Sequence, residues 1–407
     1  MSPRTTTPPW PLVALFTAGY LAAYLLPTTV GRLDAALPLT STEAGAVGSA
    51  LLLGSATAGF TLAAQVERFG PRRLARAGLL LAAVGYGTAA LTTALPAVVA
   101  GAVLGGFGSG TATAVAATGI AAQRDPHRVS TLGLLTVSAL AGALYLTIPR
   151  LGPGHGLPLA ALALTALLTL PATARLAAPV ATTRVARERG PLPHLRHGLT
   201  LAVTLLLWSL AQNSLWGVSG RIGTTQAGLS EVTVGAVFAT ALGAGLLGVI
   251  GAGALGARFG RALPIGAGTA LIAGCIVLSA TATDLPTFAT GEVAWNTLYP
   301  VVLSYLIGLA SSLDPRGRWA VLIGSASSLG TAVGPLVGSL LSAHVGYPAM
   351  GAILAVGLLL ITAPMTWVAL RAAPPTTEHA RYQEHERDRA QPQSRTAAER
   401  PEYRPAA

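Results

Sequence analysis

The chain has 407 residues, of which 52% are hydrophobic and only 10% are charged. Soluble domains carry about 25% charged residues, so this sequence has too little polar surface for a water-soluble fold. The net charge of +11 does not indicate a nucleic-acid-binding protein, because the arginines lie in short segments between long apolar stretches.

Apolar stretches of about 20 residues follow one another from Pro11 to Leu370. Such a stretch crosses the roughly 30 Å hydrocarbon layer as a helix, because a helix satisfies its own backbone donors and acceptors there. The sequence therefore predicts an all-α integral membrane protein with twelve transmembrane helices. The predicted spans are 11–31, 44–66, 74–94, 97–121, 129–149, 157–175, 198–218, 232–257, 263–282, 286–310, 319–341 and 348–370.

Arginines are concentrated in the loops on one side of the predicted membrane. The loops of the other side hold only Arg32, Arg150 and Arg221. Positive charge marks cytoplasmic loops, so we expect a multi-pass protein of the cell membrane with both termini in the cytoplasm.

A longer basic loop, rich in arginine and proline, separates the sixth and seventh predicted spans. It predicts an N-terminal six-helix bundle (1–176), a cytoplasmic linker loop (177–197) and a C-terminal six-helix bundle (198–371). The last segment (372–407) is rich in Pro, Glu, Arg and Gln, and we expect it to be a disordered cytoplasmic tail.

A short motif after the second span recurs 190 residues later, after the eighth span. The first copy reads Glu-Arg-Phe-Gly-Pro-Arg-Arg from Glu67 to Arg73, and the second reads Ala-Arg-Phe-Gly-Arg from Ala257 to Arg261. The two copies could have arisen independently, because a tight turn favours Gly and anchoring at the inner face favours Arg. Their equivalent positions in the two six-helix halves indicate a duplication instead.

These two copies resemble the signature Gly-x-Leu-Ala-Asp-Arg-x-Gly-Arg-Lys of the major facilitator superfamily, found between helices 2 and 3. The resemblance covers residues 11 to 370 and implies two pseudo-symmetric six-helix bundles. It implies that Glu67 latches the cytoplasmic ends of the two halves in the outward-open state, while Ala257 occupies the acidic position of the second copy. The implied latch residues are Glu67, Arg68, Gly70, Arg72, Arg258, Gly260 and Arg261.

Glu292 is the one acidic residue predicted to lie well inside a span. A charged carboxylate in hydrocarbon costs about 2.5–3.5 kcal/mol on insertion scales, so we expect this side chain to face the bundle interior or water. Removal from water favours the neutral form, which suits a proton carrier. The alternative is a permanently protonated structural hydrogen-bond donor.

Aromatic and amide side chains share helix faces in the first, seventh and tenth spans, and in the superfamily these helices line the central cavity. Aromatic walls with few polar groups suit a flat or amphiphilic small molecule, and rings near an acid also suit an organic cation. The alternatives are anchoring at the lipid interface and helix packing. The predicted cavity residues are Tyr20, Tyr24, Trp208, Gln212, Asn213, Trp216, Trp295, Asn296 and Tyr299.

Small residues at four-residue spacing let helices approach closely. We predict such packing at Gly101 and Gly105 in the fourth span and at Gly334, Pro335 and Gly338 in the eleventh. The eleventh-span pattern resembles an antiporter signature of the drug-exporting branch, but that signature belongs in helix 5 and is missing there.

These features predict a secondary active transporter that moves a small organic molecule by alternating access, exports an amphiphilic metabolite or drug, and is coupled to protons through Glu292. The alternatives are proton-coupled uptake of a small organic solute and, in a different class, a non-transporting membrane sensor or scaffold. The sequence contains no phosphate-binding, catalytic or metal-binding pattern, so we expect no enzyme activity, cofactor or metal. The expected partners are substrate, protons and the lipid bilayer, without nucleic acid, and we expect a monomer.

Overall fold

A computed structural model describes residues 9–176, 191–255, 259–314 and 317–372, and every regular element within them is helical. Residues 177–190 of the predicted linker (177–197) and residues 373–407 of the predicted tail lie outside the described residues, and α9 begins at Leu195, inside the predicted linker. The α-helices are α1 Trp10–Tyr24, α2 Leu26–Ala36, α3 Ser41–Leu62, α4 Val66–Phe69, α5 Pro71–Leu91, α6 Leu95–Ala121, α7 Pro126–Thr147, α8 Gly156–Thr169, α9 Leu195–Arg221, α10 Glu231–Leu255, α11 Ala262–Ala280, α12 Leu285–Ser312 and α13 Arg318–Arg371.

Ten helical segments of the described chain are long and apolar enough to cross a membrane, and an eleventh forms if α1 and α2 are one bent span. A span from 11 to 31 was predicted as one helix, and this prediction is wrong in detail. The axes of α1 and α2 differ by 47° at a break beside Leu25. Pro27, in the first turn of α2, lacks the N–H that would continue an α-helical ladder.

Helix α13 has 54 residues, more than twice the length needed to cross the hydrocarbon layer. Gly346 interrupts it with φ +77° and ψ 166°, values that a residue with a side chain rarely adopts. The two helical arms that meet at this residue correspond to the predicted spans 319–341 and 348–370.

The helices pack in two groups. In the N-terminal half, α6 packs on α1, α3 and α5, and in the C-terminal half α13 packs on α9 and α11. The two halves meet where α3 packs on α13, α7 on α10, and α2 on α9. The main contacts between the halves are therefore made by α2, α3 and α7 on one side and by α9, α10 and α13 on the other.

Two helix starts at the same end of the bundle have capping side chains. Thr40 and Glu43 form a reciprocal capping box at the start of α3, and Asp284 caps α12. The backbone N–H of Thr287 donates to Asp284 at 2.8 Å, and this bond and one from the Thr287 side chain lower the pKa of the Asp284 carboxyl. Following the predicted topology, we call the end of the bundle that carries these caps the outer end, and the opposite end the inner end.

Candidate functional site

Four aromatic side chains on α9 and α12 form a continuous cluster in the C-terminal half. Trp208 and Tyr299 are stacked, with ring centroids 5.0 Å apart and an interplanar angle of 20°. Trp295 lies 5.8 Å from Tyr299 and 5.5 Å from Trp216. Trp208 is completely buried, whereas Tyr299 is only partly buried and forms the edge of the cluster.

Two tyrosines of α1 approach this cluster from the N-terminal half. The phenols of Tyr20 and Tyr24 lie close enough to Tyr299 for direct electrostatic interaction. Tyr20 is 39% exposed although it lies in the middle of α1, and its ring packs 4.5 Å from Phe16. The Tyr24 side chain lies beside Ser138 of α7. Three phenols, contributed by both halves, therefore converge between them.

The predicted amide residues lie at helix contacts. Gln212 is fully buried, and its Oε1 accepts a hydrogen bond from the indole N–H of Trp295. Asn213 donates to Thr331 Oγ1 on α13 at 3.2 Å, and Asn296 donates to the Glu292 carbonyl at 3.0 Å on its own helix. Of the predicted cavity set, the tyrosines therefore lie between the halves, whereas Gln212 and Asn213 join α9 to α12 and α13 within the C-terminal half.

Glu292 lies two turns below the outer end of α12 and is completely buried. Ser219 Oγ of α9 donates to Glu292 Oε1 at 2.8 Å, and Ser279 of α11 lies beside the carboxyl. Oε2 has no hydrogen-bond partner in the part of the chain that the structure describes. A buried, ionised carboxylate requires several strong donors, so this environment is better suited to a carboxyl that holds a proton.

Arg32 and Arg221, predicted in outer loops, instead lie within helices, and their side chains are only 3% and 4% exposed. Arg32 Nη2 forms an ion pair with Glu231 Oε2 of the opposite half at 2.8 Å. Its Nη1 also donates to the carbonyls of Gly152 and Gly154 at 3.0 and 3.1 Å. One guanidinium thereby joins α2, the turn after α7 and the first residue of α10.

Arg221 makes the corresponding connection in the opposite direction. Its Nη1 lies 3.6 Å from Asp34 Oδ2 and donates to the Ser41 carbonyl at 3.2 Å, both in the N-terminal half. Its Nη2 donates to Ser339 Oγ of α13 at 2.6 Å. Since α3 and α13 approach so closely here that a Cβ at Gly45 would overlap Ser339, this arginine closes a tightly packed corner.

The two arginines occupy similar places in the two halves. Each stands near the end of the opening helical segment of its half, and each reaches the first residue of a helix in the opposite half, Glu231 of α10 or Ser41 of α3. Ser41 and Glu231 are 190 residues apart, as are the two copies of the repeated motif, and Arg32 and Arg221 are 189 residues apart. We call Arg32, Asp34, Arg221 and Glu231 the outer gate. The sequence pattern predicted no functional role for these four residues.

Further contacts between the halves lie in the outer part of the bundle. Ser49 of α3 accepts a hydrogen bond from the backbone N–H of Leu336 at 2.9 Å. Tyr145 of α7 packs against Phe238 of α10 with ring centroids 5.1 Å apart. Trp216 Nε1 donates to the Ala23 carbonyl at 3.0 Å. In this conformation the described halves are therefore joined at the outer end.

The predicted latch lies at the inner end. Gly70, with φ +83°, ends α4 and turns the chain into α5, while Arg68 lies 5.7 Å from the Phe69 ring. Glu67 lies on α4, and the loop from Glu67 to Arg73 lines a surface pocket of about 320 Å³. Gly260 has φ +63°, as a tight turn requires, and Arg258 lies outside the described residues.

Two latch arginines bind partners within their own half. Arg72 Nε donates to the Leu176 carbonyl at 2.6 Å, and Arg261 Nη1 donates to Ser312 Oγ at 2.6 Å. These two contacts do not join the halves, in contrast to those of the outer gate.

The predicted packing glycines lie at close helix contacts. Gly101 and Gly105 of α6 face Gly85 and Tyr86 of α5 so closely that an added Cβ would overlap them. Gly334 and Gly338 of α13 face the backbone of α9 in the same way, and Pro335 lies against Gly217 of α9. Side chains larger than hydrogen at these glycines would force the helices apart.

Comparison with known proteins places this geometry in a family. The model of the Major Facilitator Superfamily matches residues 12–316 and 224–401. No curated protein matches the chain. Solved structures with a similar fold include the human organic anion transporter MFSD10 (TETRAN), with a TM-score of 0.63 and 17% identity over 88% of this chain and 99% of that chain.

The D-xylose-proton symporter has a TM-score of 0.69 and 17% identity over 87% of this chain and 95% of that one. The nucleoside transporter NupG, solved as a point mutant, has a TM-score of 0.69 and 12% identity over 88% of this chain and 99% of that chain. At these identities the likeness establishes a shared fold.

Proposed function

The chain belongs to the major facilitator superfamily, and we propose that it is a proton-coupled secondary transporter of a small organic molecule that works by alternating access between two six-helix bundles. Twelve spans result if α1 with α2 counts as one bent span and α13 as two. Both termini and the 177–197 linker are proposed to be cytoplasmic, in the cell membrane.

The observation that carries this proposal is the joining of the halves by the outer gate. Alternating access requires two bundles that close at one end while they open at the other. The buried guanidiniums of Arg32 and Arg221 each cross from one half to the other at the outer end. At the inner end, Arg72 and Arg261 contact their own halves. From this pattern within the described residues we infer an inward-facing state, closed to the outside.

The second element of the proposal is Glu292 as the proton carrier. Its carboxyl is buried among α9, α11 and α12. Its Oε1 accepts a hydrogen bond from one hydroxyl group. Ser219, that donor, lies two residues before the gate residue Arg221 on α9. Loss of the Glu292 proton would leave a buried charge beside Ser219, so movement of α9 and release of the proton would favour each other.

Tyr20, Tyr24 and Tyr299 are the proposed substrate contacts. Ring faces and neutral phenol groups suit a flat amphiphilic molecule, and export of such a metabolite or drug is our preferred direction. Proton-coupled uptake of a small organic solute is the second candidate, supported by the fold shared with a D-xylose-proton symporter and a nucleoside transporter. Import and export are distinguished by screening both compound classes in vesicles of both orientations, with and without an imposed pH gradient.

The Glu292→Gln variant tests the proposed function directly. Gln keeps the size and hydrogen-bonding ability of the side chain but cannot carry a proton, so uphill, gradient-driven transport is expected to be abolished while exchange without a gradient survives. The measurement is pH-gradient-driven accumulation of the active compound in vesicles. Parent-like accumulation, with parent-like pH dependence, would leave Glu292 as a structural donor.

Asp284→Asn provides a matched control on the same helix. Asp284 is an exposed carboxylate whose pKa is lowered by hydrogen bonds from Thr287, so it stays ionised through the neutral pH range and carries no proton there. Asn is an equally good N-cap, so this variant is expected to transport like the parent. Equal loss in both variants would indicate damage to α12 rather than loss of proton coupling.

A non-transporting sensor or scaffold is the competing class, and it requires no cycling of the outer gate. Cysteines at Thr29 and Val234, in a Cys275→Ala background, place reporters on the two halves near the gate. If the protein is an active transporter, a membrane-impermeant reagent added outside is expected to label these cysteines faster when substrate and a pH gradient are present. Labelling that is independent of every compound and gradient would support the scaffold.

A further inference from the structure

Three arginines of the N-terminal half form a group at its inner end. Arg72 and Arg76 lie one turn apart on α5, and Arg175 ends the 3-10 helix Leu170–Arg175 that follows α8. All three side chains are exposed, whereas Thr173 and Leu176, on either side of Arg175, are buried. We call these arginines the inner arginine cluster.

Two members of the cluster form hydrogen bonds to the protein only through the Nε of the guanidinium. Arg72 Nε donates to the Leu176 carbonyl at 2.6 Å, and Arg76 Nε donates to Thr173 Oγ1 at 3.0 Å. The Nη1 and Nη2 groups of both side chains form no hydrogen bond or ion pair within the described residues. Each side chain is therefore oriented by the protein while its forked end, which matches phosphate oxygens in geometry, stays available.

The third member is placed by an aromatic ring. The Arg175 guanidinium lies 5.0 Å from the centroid of Trp10, the first residue of α1, which is 42% exposed. Tryptophan is enriched at the level of the lipid headgroups, where one side of the ring is apolar and the other is wet. The cluster thus lies at the depth of the headgroups at the inner end of the bundle.

The start of α5 adds a further preference for an anion. Arg72 lies in the first turn of α5, which has no acidic residue, and the positive end of the helix dipole opposes its charge. Arg76 lies one turn further along the same helix. A negative ligand between the two side chains would offset both charges.

An apolar surface continues from the cluster toward the middle of the bundle. Leu164 and Leu168, one turn apart on α8, are 56% and 72% exposed, and Leu80 on the adjacent α5 is 50% exposed. A soluble phosphate would make no contact with this apolar surface, whereas an acyl chain would cover it. The free guanidinium ends match a phosphate group, and the exposed leucines beside an interfacial Trp match an acyl chain. Together these features indicate a lipid rather than a soluble anion.

We propose that the inner arginine cluster is a binding site for an anionic phospholipid of the cytoplasmic leaflet, with the headgroup phosphate between Arg72, Arg76 and Arg175 and an acyl chain along Leu164 and Leu168. The site is independent of the substrate, of Glu292 and of the transport direction. It ties α1, α5 and the end of α8 together at the surface where the N-terminal half leaves the membrane.

The test measures thermal unfolding of the full chain in nanodiscs of phosphatidylcholine with an increasing fraction of phosphatidylglycerol. Phosphatidylglycerol is expected to raise the Tm of the parent, because it binds the folded state. Each Arg→Gln replacement is expected to weaken the apparent lipid affinity about fivefold, from about 1 kcal/mol per arginine near an anionic surface. The triple variant Arg72→Gln, Arg76→Gln, Arg175→Gln is expected to lose the response.

Arg124→Gln with Arg128→Gln is the matched control, since these arginines also lie about one turn apart at the inner end of the same half but outside the cluster. The control is expected to keep the parent response. An equal loss in the control, an unchanged response in the triple variant, or no response in the parent would each overturn the proposal. Inorganic phosphate added to pure phosphatidylcholine nanodiscs is expected to leave the Tm unchanged, and an equal stabilisation by phosphate would show a soluble-anion site instead.

If the triple variant does not fold, the single variants Arg76→Gln and Arg175→Gln carry the test. Each is expected to shift the phosphatidylglycerol midpoint about fivefold. Trp10→Phe keeps a ring under Arg175 and is expected to keep most of the response. Single variants with parent-like midpoints would refute the site.

Discussion

Arginine acts in opposite ways at the two ends of this molecule. At the outer end, Arg32 and Arg221 are buried, and each guanidinium reaches across to the other half. At the inner end, Arg72 and Arg261 bind a carbonyl or a hydroxyl of their own half. Within the described residues, arginine therefore joins the halves where it is buried, and at Arg72 and Arg261, which are exposed or partly buried, it stays within one half.

The difference in burial also determines how much each end contributes to the conformational equilibrium. Breaking a buried ion pair by removing one partner costs about 3–5 kcal/mol, whereas exposed pairs contribute about 0–1 kcal/mol. The outer gate is intermediate, because its arginines are buried while Glu231 and Asp34 are 48% and 21% exposed. We expect about 1–3 kcal/mol for one gate arginine, or about a 5- to 150-fold change in the ratio of the two states.

The largest effect is expected for Arg221→Gln. This variant loses the contacts to Asp34, Ser41 and Ser339 together, so the outer end should open. The measurement is labelling of a Tyr24→Cys reporter, in a Cys275→Ala background, by an impermeant reagent added from outside. The initial labelling rate is expected to rise about 5- to 150-fold.

Arg150→Gln is the control for this experiment, since Arg150 lies at the same end but is exposed and binds the Leu146 carbonyl of its own helix. Its labelling rate is expected to equal that of the parent. A parent-like rate in Arg221→Gln would mean that apolar packing alone keeps the outer end closed.

A charge exchange between Arg32 and Glu231 is expected to have the next largest effect. Arg32→Glu alone places two carboxylates together and should open the outer end, and adding Glu231→Arg should partly restore closure. Restoration is incomplete, because the new glutamate cannot donate to the carbonyls of Gly152 and Gly154 as Arg32 does. The same Tyr24→Cys labelling assay compares the three proteins, and a double variant as open as the single one would argue against a direct pair.

Much of the fold could be predicted from local sequence. The predicted spans overlap the observed helices, because a hydrocarbon layer fixes both their length and their composition. The superfamily resemblance, based on the repeated motif, is confirmed by the family model. The bend beside Leu25 was missed, since an apolar run carries no signal for the direction of the helix on either side of a proline.

The outer gate could not be predicted in the same way. A hydropathy pattern treats Arg32 and Arg221 as the ends of spans, and their partners are distant in the sequence. Each guanidinium is accommodated at a buried helix end because both halves supply oxygens there, a carbonyl or hydroxyl from its own half and a carboxylate from the other. Glu292 was recognised as an acid in an apolar run, but its contact with Ser219 depends on the packing of α9 against α12, which no local pattern encodes.

The smallest effect is expected at the inner end, from Glu67→Gln. Glu67 is exposed on α4, and a single exposed carboxylate contributes about 0–1 kcal/mol. If it latches the inner end in the outward-open state, as the superfamily motif implies, its loss favours the inward-facing state by up to about fivefold. Outside labelling of Tyr24→Cys should therefore fall slightly, opposite in sign to the gate variants.

To make the change measurable, Glu67→Gln is combined with Arg221→Gln, which first populates the outward-open state. Arg124→Gln, which removes an exposed charge of the inner end outside the latch motif, is the comparison and should leave the rate of the same background unchanged. A rise in labelling on adding Glu67→Gln, or no change, would mean that Glu67 is not a latch and that the outer gate alone sets the balance between the two states.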